Sequence, residues 1–292
     1  MVKNKVFPLL AFSGIMLLII LIMQPLEIVA LKGYIPVLFP EGSIGYEQIK
    51  LLLIIQGIML LVVIPVFILT FYFSWKYRAG QSREKYDPHM VDHKGLEVIW
   101  WGVPFVLVSI IAVLTVIKTY ELDPFKPIGP EDKTLTVEVV ATQWNWLFIY
   151  PEQGIASLNY LAIPKGTPVH FKITSDAPMN AFWIPELGGM IYAMPKMLTE
   201  LHLIADKEGQ FLGRSANISG EGFADMQFTT KSQSEEDFKA WVQSVKSESK
   251  GLNFQEYNEI AKPTPLIPAK QFTVSDPDLF HKILTKFMKK GS

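Results

Sequence analysis

Long uncharged apolar runs occupy the first 120 residues, and short alternating runs follow them. Residues 6–26, 51–75 and 98–117 contain no Asp, Glu, Lys or Arg. An uncharged run of about 18 residues or more is long enough to cross a bilayer as a helix. Pro65 and Pro104 interrupt the second and third runs, where a membrane helix tolerates a kink because its neighbours satisfy the freed backbone groups. The short loops set the orientation. Lys76, Arg78, Arg83, Lys85 and Lys94 lie between the second and third runs, against only Lys32 and Lys50 between the first and second. Basic residues near membrane ends favour the cytoplasmic side, so that loop is expected inside, as is the N-terminus with Lys3 and Lys5. Everything after about residue 120 is then delivered outside. Residues 1–30 read as a signal anchor or a signal peptide. Retention is favoured, because the apolar stretch exceeds a usual h-region and no A-x-A site follows. Two or three helices are therefore expected, with a transmembrane hairpin over residues 45–122.

From residue 123 the period changes to two. Leu135, Val137, Val139 and Ala141 alternate with Thr134, Thr136 and Glu138, and Val169, Phe171 and Ile173 with His170, Lys172 and Thr174, the pattern of half-buried strands. Further short runs near Phe148, Leu161, Trp183, Ile191, Leu203, Phe211 and Phe228 are broken by Gly, Pro and Asn. Their spacing predicts a Greek-key β-sandwich over residues 123–231. Two helices are expected in residues 232–292. The first is opened by a Ser232/Glu235 capping box and buries Phe238, Trp241, Val242 and Val245. The second starts at Asp276 with Pro277 in its first turn and shows Phe280, Ile283, Leu284 and Phe287 on one face. Residues 262–270, with three prolines, read as an extended arm. The fold class is thus a membrane-anchored all-β protein with C-terminal helices.

Composition narrows the chemistry. A net charge of −1 leaves no basic excess for gripping nucleic acid. With no cysteine, every thiolate site is excluded: disulfide, zinc–cysteine, blue copper, iron–sulfur and Cys nucleophile. His89 and His93, four apart, fall in a charged loop and read as solvated polar groups. His170, His202 and His281 each read as lone surface histidines. Met179, Met190, Met194, Met197 and Met226 are soft donors in principle, but core packing is the commoner use of methionine. Trp144 and Trp146, two apart on an expected strand, face one side and read as core or interface aromatics. No hydrolase triad, phosphate loop or paired-carboxylate motif is present.

Three stretches supply the missing context. They are Gln143-Trp144-Asn145-Trp146 with Tyr150-Pro151-Glu152-Gln153-Gly154; Met179-Asn180-Ala181-Phe182-Trp183-Ile184-Pro185-Glu186-Leu187-Gly188-Gly189 with Met190-Ile191-Tyr192-Ala193-Met194; and Ser215-Ala216-Asn217-Ile218-Ser219-Gly220-Glu221-Gly222-Phe223-Ala224-Asp225-Met226. From about Gly45 to the C-terminus the chain resembles subunit II of the haem–copper respiratory oxidases, most closely in the cytochrome bo-type ubiquinol oxidase branch. The resemblance implies a cupredoxin-like sandwich. In the cytochrome c branch that sandwich holds a dinuclear copper centre on two Cys, two His, a Met and a backbone carbonyl. Matched residue by residue, the His positions fall on Asn180 and Phe223, the bridging Cys on Ser215 and Ser219, and the Met on Met226. A hydroxyl does not replace a bridging thiolate for a soft copper pair, and Phe223 offers no lone pair. No metal is therefore expected in this chain.

The resemblance further implies a subunit of a proton-translocating terminal ubiquinol oxidase in the bacterial inner (plasma) membrane. Subunit I would hold the haems, the copper and the quinol site, with ubiquinol and O₂ as substrates of the complex, membrane lipid around the helices and no cytochrome c. No catalytic residue is expected here. Trp144 and Trp146 match the aromatic stretch of electron entry in the cytochrome c branch; without copper behind them, packing or subunit contact is expected instead. Glu97 matches a glutamate at a proton-channel mouth, against the plainer reading of an interfacial carboxylate. Relatives commonly carry a lipidated Cys, which this chain lacks, favouring retention of the first run. The alternative from another class is a membrane-anchored β-sandwich sensor or scaffold without oxidase activity.

Overall fold

The computed structural model describes residues 35–78, 93–264 and 267–287. The apolar run at 6–26 and the basic loop residues Arg83, Lys85 and His89 lie outside the described residues.

The second and third runs are helices, α1 (Ser43–Lys76) and α2 (Lys94–Glu121). Each is long and apolar enough to cross a membrane, and none of the residues in their most apolar windows is buried in the protein. A helix that apolar with no protein cover is a lipid-facing or partner-facing element, so the chain is membrane-anchored. Both helices run through their proline, Pro65 and Pro104. The hairpin is tied near its sandwich end by Lys118, which pairs with Glu47 across the helices at 3.1 Å. The start of α1 is fastened to the sandwich. Glu41 N–H donates to the Glu186 carbonyl and Gly45 N–H to that of Leu187. A Cβ on Gly42 would lie 2.2 Å from the Ile204 carbonyl oxygen, which is why this approach needs glycine.

Among the described residues twelve strands follow: β1 (Leu135–Ala141), β2 (Trp146–Tyr150), β3 (Ile155–Leu158), β4 (Tyr160–Pro164), β5 (Val169–Ser175), β6 (Asn180–Trp183), β7 (Ile191–Ala193), β8 (Thr199–Leu203), β9 (Gly209–Ser215), β10 (Gln227–Gln233), β11 (Lys250–Leu252) and β12 (Lys270–Val274). They form two sheets in the orders β11-β12-β3-β2-β1-β5-β8 and β4-β10-β9-β6-β7. The inward residues Val137, Val139, Phe148, Phe171, Phe182 and Phe228 meet between the sheets. Phe182 and Phe228 stack at 5.3 Å, and Trp146 meets Phe182 edge-on at 5.4 Å. This is the expected cupredoxin-like sandwich.

The C-terminal segment departs from expectation. It supplies three helices, α3 (Glu235–Glu248), α4 (Phe254–Ile260) and α5 (Leu279–Thr285), and two strands, β11 and β12, that extend the larger sheet past β3. The arm around 262–270 thus leads into a paired strand. Helix α4 is capped by Asn253, with Glu256 returning to the Asn253 N–H. The cap of α3 is Ser234, whose side chain accepts from Asp237 N–H, and not Ser232, which is buried in β10. Helix α5 begins at Leu279, beyond the Asp276-Pro277 turn. Of its predicted face, Phe280 and Ile283 are buried while Phe287 is exposed. Leu279, Phe280, Ile283 and Tyr257 form a second core against Val140, Leu147, Ile149 and Leu158 on the outer face of the larger sheet.

Candidate functional site: a cupredoxin corner without metal donors

The corner that the resemblance singles out lies where β6 begins, β9 ends and the loop to β10 closes over both. Strand pairing sets Phe182 opposite Ser215. The loop is then pinned by Ala216 N–H to the Ala181 carbonyl at 3.0 Å, Ser215 N–H to the Met226 carbonyl at 3.1 Å, and Asn217 Nδ2 to the Met179 carbonyl at 2.7 Å. Asn180, Ser215 and Met226 are buried at this corner. The Ser215 hydroxyl donates to Asn180 Oδ1 at 3.1 Å, and Asn180 Nδ2 donates to the Pro178 carbonyl at 2.8 Å. Ser219 Oγ is buried without a hydrogen-bond partner. Phe223 sits in the 3₁₀ turn Glu221–Asp225.

These donors do not fit a dinuclear copper centre. Two hydroxyls stand where bridging thiolates are needed, a phenyl ring offers no lone pair, and Asn180 and Ser215 are committed to each other. Among the described residues no group of three or more His, Cys, Asp or Glu is arranged to hold a metal ion.

The two tryptophans part company. Trp146 is fully buried between the sheets, edge-on to Phe182 and Phe228. Trp144 has φ of 72° in the turn closed by Thr142 N–H and Asn145 O, so it leaves the strand and the two side chains do not share a face. Its half-buried indole lies on the corner loop: a Cβ on Gly222 would come within 2.3 Å of its ring. Trp144 therefore covers the loop that carries Ser219 and Phe223.

Glu97 is in the first turn of α2, half-buried, with its N–H donating to the His93 carbonyl. His93 itself caps α2, Nδ1 accepting from Leu96 N–H at 3.2 Å. Glu97 is 24 residues from Glu121 at the other end of α2, about 36 Å at 1.5 Å per residue. It is not brought to the corner.

Some polar residues escape sequence reading. Asn145 Oδ1 accepts from Asn159 Nδ2 at 2.7 Å and from Ile267 N–H at 2.8 Å, pinning the C-terminal arm to the sandwich. Asn159 has φ of 54°, and asparagine is one of the few non-glycine residues that enters this left-handed region. Asp176, its side chain 1% exposed, accepts from Tyr257 Oη at 2.8 Å and Lys286 Nζ at 2.7 Å. His170 and His202 are not lone surface groups: they face each other across β5 and β8 with rings stacked at 4.4 Å.

A two-helix membrane anchor bearing a cupredoxin-like sandwich, with an amide–hydroxyl pair at the corner between β6 and β9, defines a membrane-anchored domain of the cupredoxin-like class. Residues 153–233 match the family described as Cytochrome C oxidase subunit II, periplasmic domain, and residues 246–291 the COX Aromatic Rich Motif. The chain is 46% identical over 248 residues to Cytochrome bo(3) ubiquinol oxidase subunit 2 of Pseudomonas putida, covering 85% of this chain and 79% of that one. It is 47% identical over 254 residues to Ubiquinol oxidase subunit 2 of Acetobacter aceti, covering 86% and 82%. It is 41% identical over 228 residues to Quinol oxidase subunit 2 of Bacillus cereus, covering 78% of each. The chain belongs to the subunit II family of the haem–copper oxidases.

Proposed function

We propose that this chain is subunit 2 of a ubiquinol oxidase and carries no electrons itself. The observation that carries this reading is the corner, where Ser215 and Asn180 are hydrogen-bonded to each other at positions the copper-bearing branch gives to a bridging thiolate and an imidazole. A complex fed by cytochrome c needs that copper as its entry point; a complex fed by a membrane-dissolved quinol does not. The relatives named as quinol oxidase subunits support the same branch, and the sensor or scaffold alternative is not favoured by them.

In this reading residues 45–122 form the membrane hairpin packed on subunit I, residues 123–231 the outer sandwich, and residues 232–292 an arm that covers the sheet. Residues 1–30 act as a signal anchor or a signal peptide, with retention favoured. The chain sits in the bacterial plasma membrane with the sandwich outside, as the basic loop residues Lys76, Arg78 and Lys94 favour. Subunit I holds the haems, the copper and the quinol site. This chain supplies assembly, an outer cap and a carboxylate, Glu97, at the inner mouth of a proton path. Trp144, exposed in part over the corner loop, serves as a contact to a neighbouring subunit.

The test is where copper goes. When this chain is dissociated from the purified complex, copper is expected to remain with the haem-bearing subunit. Copper leaving with this chain would overturn the reading.

A further inference from the structure

His170 and His202 form a stacked pair where the sandwich meets the segment that leads to the membrane anchor. The two residues are direct partners in the β5–β8 register, with rings 4.4 Å apart and 11° from parallel. His202 is 6% exposed. Its ring Nδ1 lies 3.1 Å from the Pro124 carbonyl oxygen, and its backbone N–H donates to the same oxygen at 3.1 Å. A carbonyl only accepts, so Nδ1 carries the proton. Pro124 stands three residues beyond Glu121, the last residue of α2. The histidine therefore clasps the segment that leads from the membrane to the sandwich.

Cavities lie on both sides of His202. One of about 330 Å³ is lined by Gln48, Glu121, Lys126 and Met190 at the membrane end, and one of about 340 Å³ by Phe125, Glu131, Lys172 and Glu200. Water thus has room to reach the pair. The charged groups around it are mixed. Glu200 on β8 meets His170 Nε2 at 3.2 Å. Lys172 on β5 stands across from Glu138 on β1. Glu131 and Lys126 come from the linker and Glu121 from α2. Burial, together with the neighbouring His202 ring, holds His170 below the ordinary histidine range, outweighing the pull of Glu200.

We propose that the His170–His202 pair is a pH-sensitive clasp that holds the 122–128 linker to the sandwich at neutral pH and releases it as the outer side acidifies. Two neutral rings stack face to face at no electrostatic cost, whereas a second proton sets two cations 4.4 Å apart. A histidine that binds protons less well in the closed form makes closure strongest above its unperturbed range and weaker as pH falls through it. The clasp rests on the geometry of this chain alone and not on the oxidase reading.

Hydrogen exchange of the assembled complex in detergent tests it, corrected for the intrinsic pH dependence of exchange. Opening of residues 122–128 is expected to grow toward tenfold per pH unit below about pH 6.5, one proton being taken up per opening. Exchange of the buried strand β2 is expected to stay constant. His170→Phe keeps a stacked ring without a titrating group and is expected to flatten the profile. A wild-type profile with no pH dependence, or an unchanged dependence in His170→Phe, would overturn the clasp. Quinol activity measured on the same sample reports separately on the oxidase reading.

Discussion

Ser215 Oγ lies 3.1 Å from Asn180 Oδ1, joining the end of β9 to the start of β6 inside a buried corner of the sandwich. The bond cross-links the two strands at this corner. Ser215→Ala removes the donor from a buried amide oxygen, and leaving such a group unsatisfied costs about 1–3 kcal/mol. The thermal midpoint of the outer domain, followed in the full chain, is expected to fall accordingly. If, as proposed, no electron passes this corner, ubiquinol-driven O₂ consumption per assembled complex stays at the wild-type value; lost turnover in intact complexes would show otherwise.

Lys286 and Tyr257 converge on Asp176, whose carboxylate is almost wholly buried. Burial and the adjacent carboxylate push the Tyr257 hydroxyl well above its ordinary range, so it remains a donor at every physiological pH. Lys286→Met strands a buried negative charge, a change that costs about 3 kcal/mol. Faster proteolysis of α5 is the expected readout, and Asp176→Asn in the same chain is expected to restore part of the protection. Equal protection in Lys286→Met and wild type would remove the ion pair from the account of how the C-terminal arm is held.

Gly222 is the floor beneath Trp144. A Cβ there would come within 2.3 Å of the indole, so Gly222→Ala must shift either the ring or the corner loop, at a cost of about 1–3 kcal/mol. If Trp144 contacts a neighbouring subunit, the yield of assembled complex falls in Gly222→Ala and in Trp144→Ala alike. Trp146→Ala, in contrast, is expected to unfold the sandwich by opening its core, at about 3–5 kcal/mol.

Glu97 is tested in the assembled complex. Glu97→Ala is expected to slow quinol-driven turnover with haem content unchanged, and Glu97→Asp to recover part of it. Turnover unaltered by Glu97→Ala would reduce this residue to an ordinary interfacial carboxylate.

How far the fold was readable follows from where each residue's face is covered. The spans were plain because an uncharged run needs no partner to be recognised. β1 and β5 were plain because Thr136, Glu138, His170 and Lys172 keep a polar face. β3, Ile155–Leu158, gave no alternation, since the C-terminal helices bury its second face and all four residues are covered. β12 was masked by its prolines upstream, and α4 by being only seven residues long. The corner was legible as a set of substituted positions, but the Ser215–Asn180 bond, the left-handed Trp144 and the stacked histidines were not. Each of those depends on strand register or a positive φ, which a linear pattern does not carry.

The central claim is that this subunit serves a complex fed by quinol and not by cytochrome c. The direct measurement is O₂ consumption by the complex purified from membranes in mild detergent through a tag on this chain, driven in parallel by ubiquinol and by reduced cytochrome c. The account predicts a haem-bearing preparation that consumes O₂ with ubiquinol alone. Turnover with reduced cytochrome c, or a chain that comes out colourless and alone under conditions that preserve such oxidases, would contradict it.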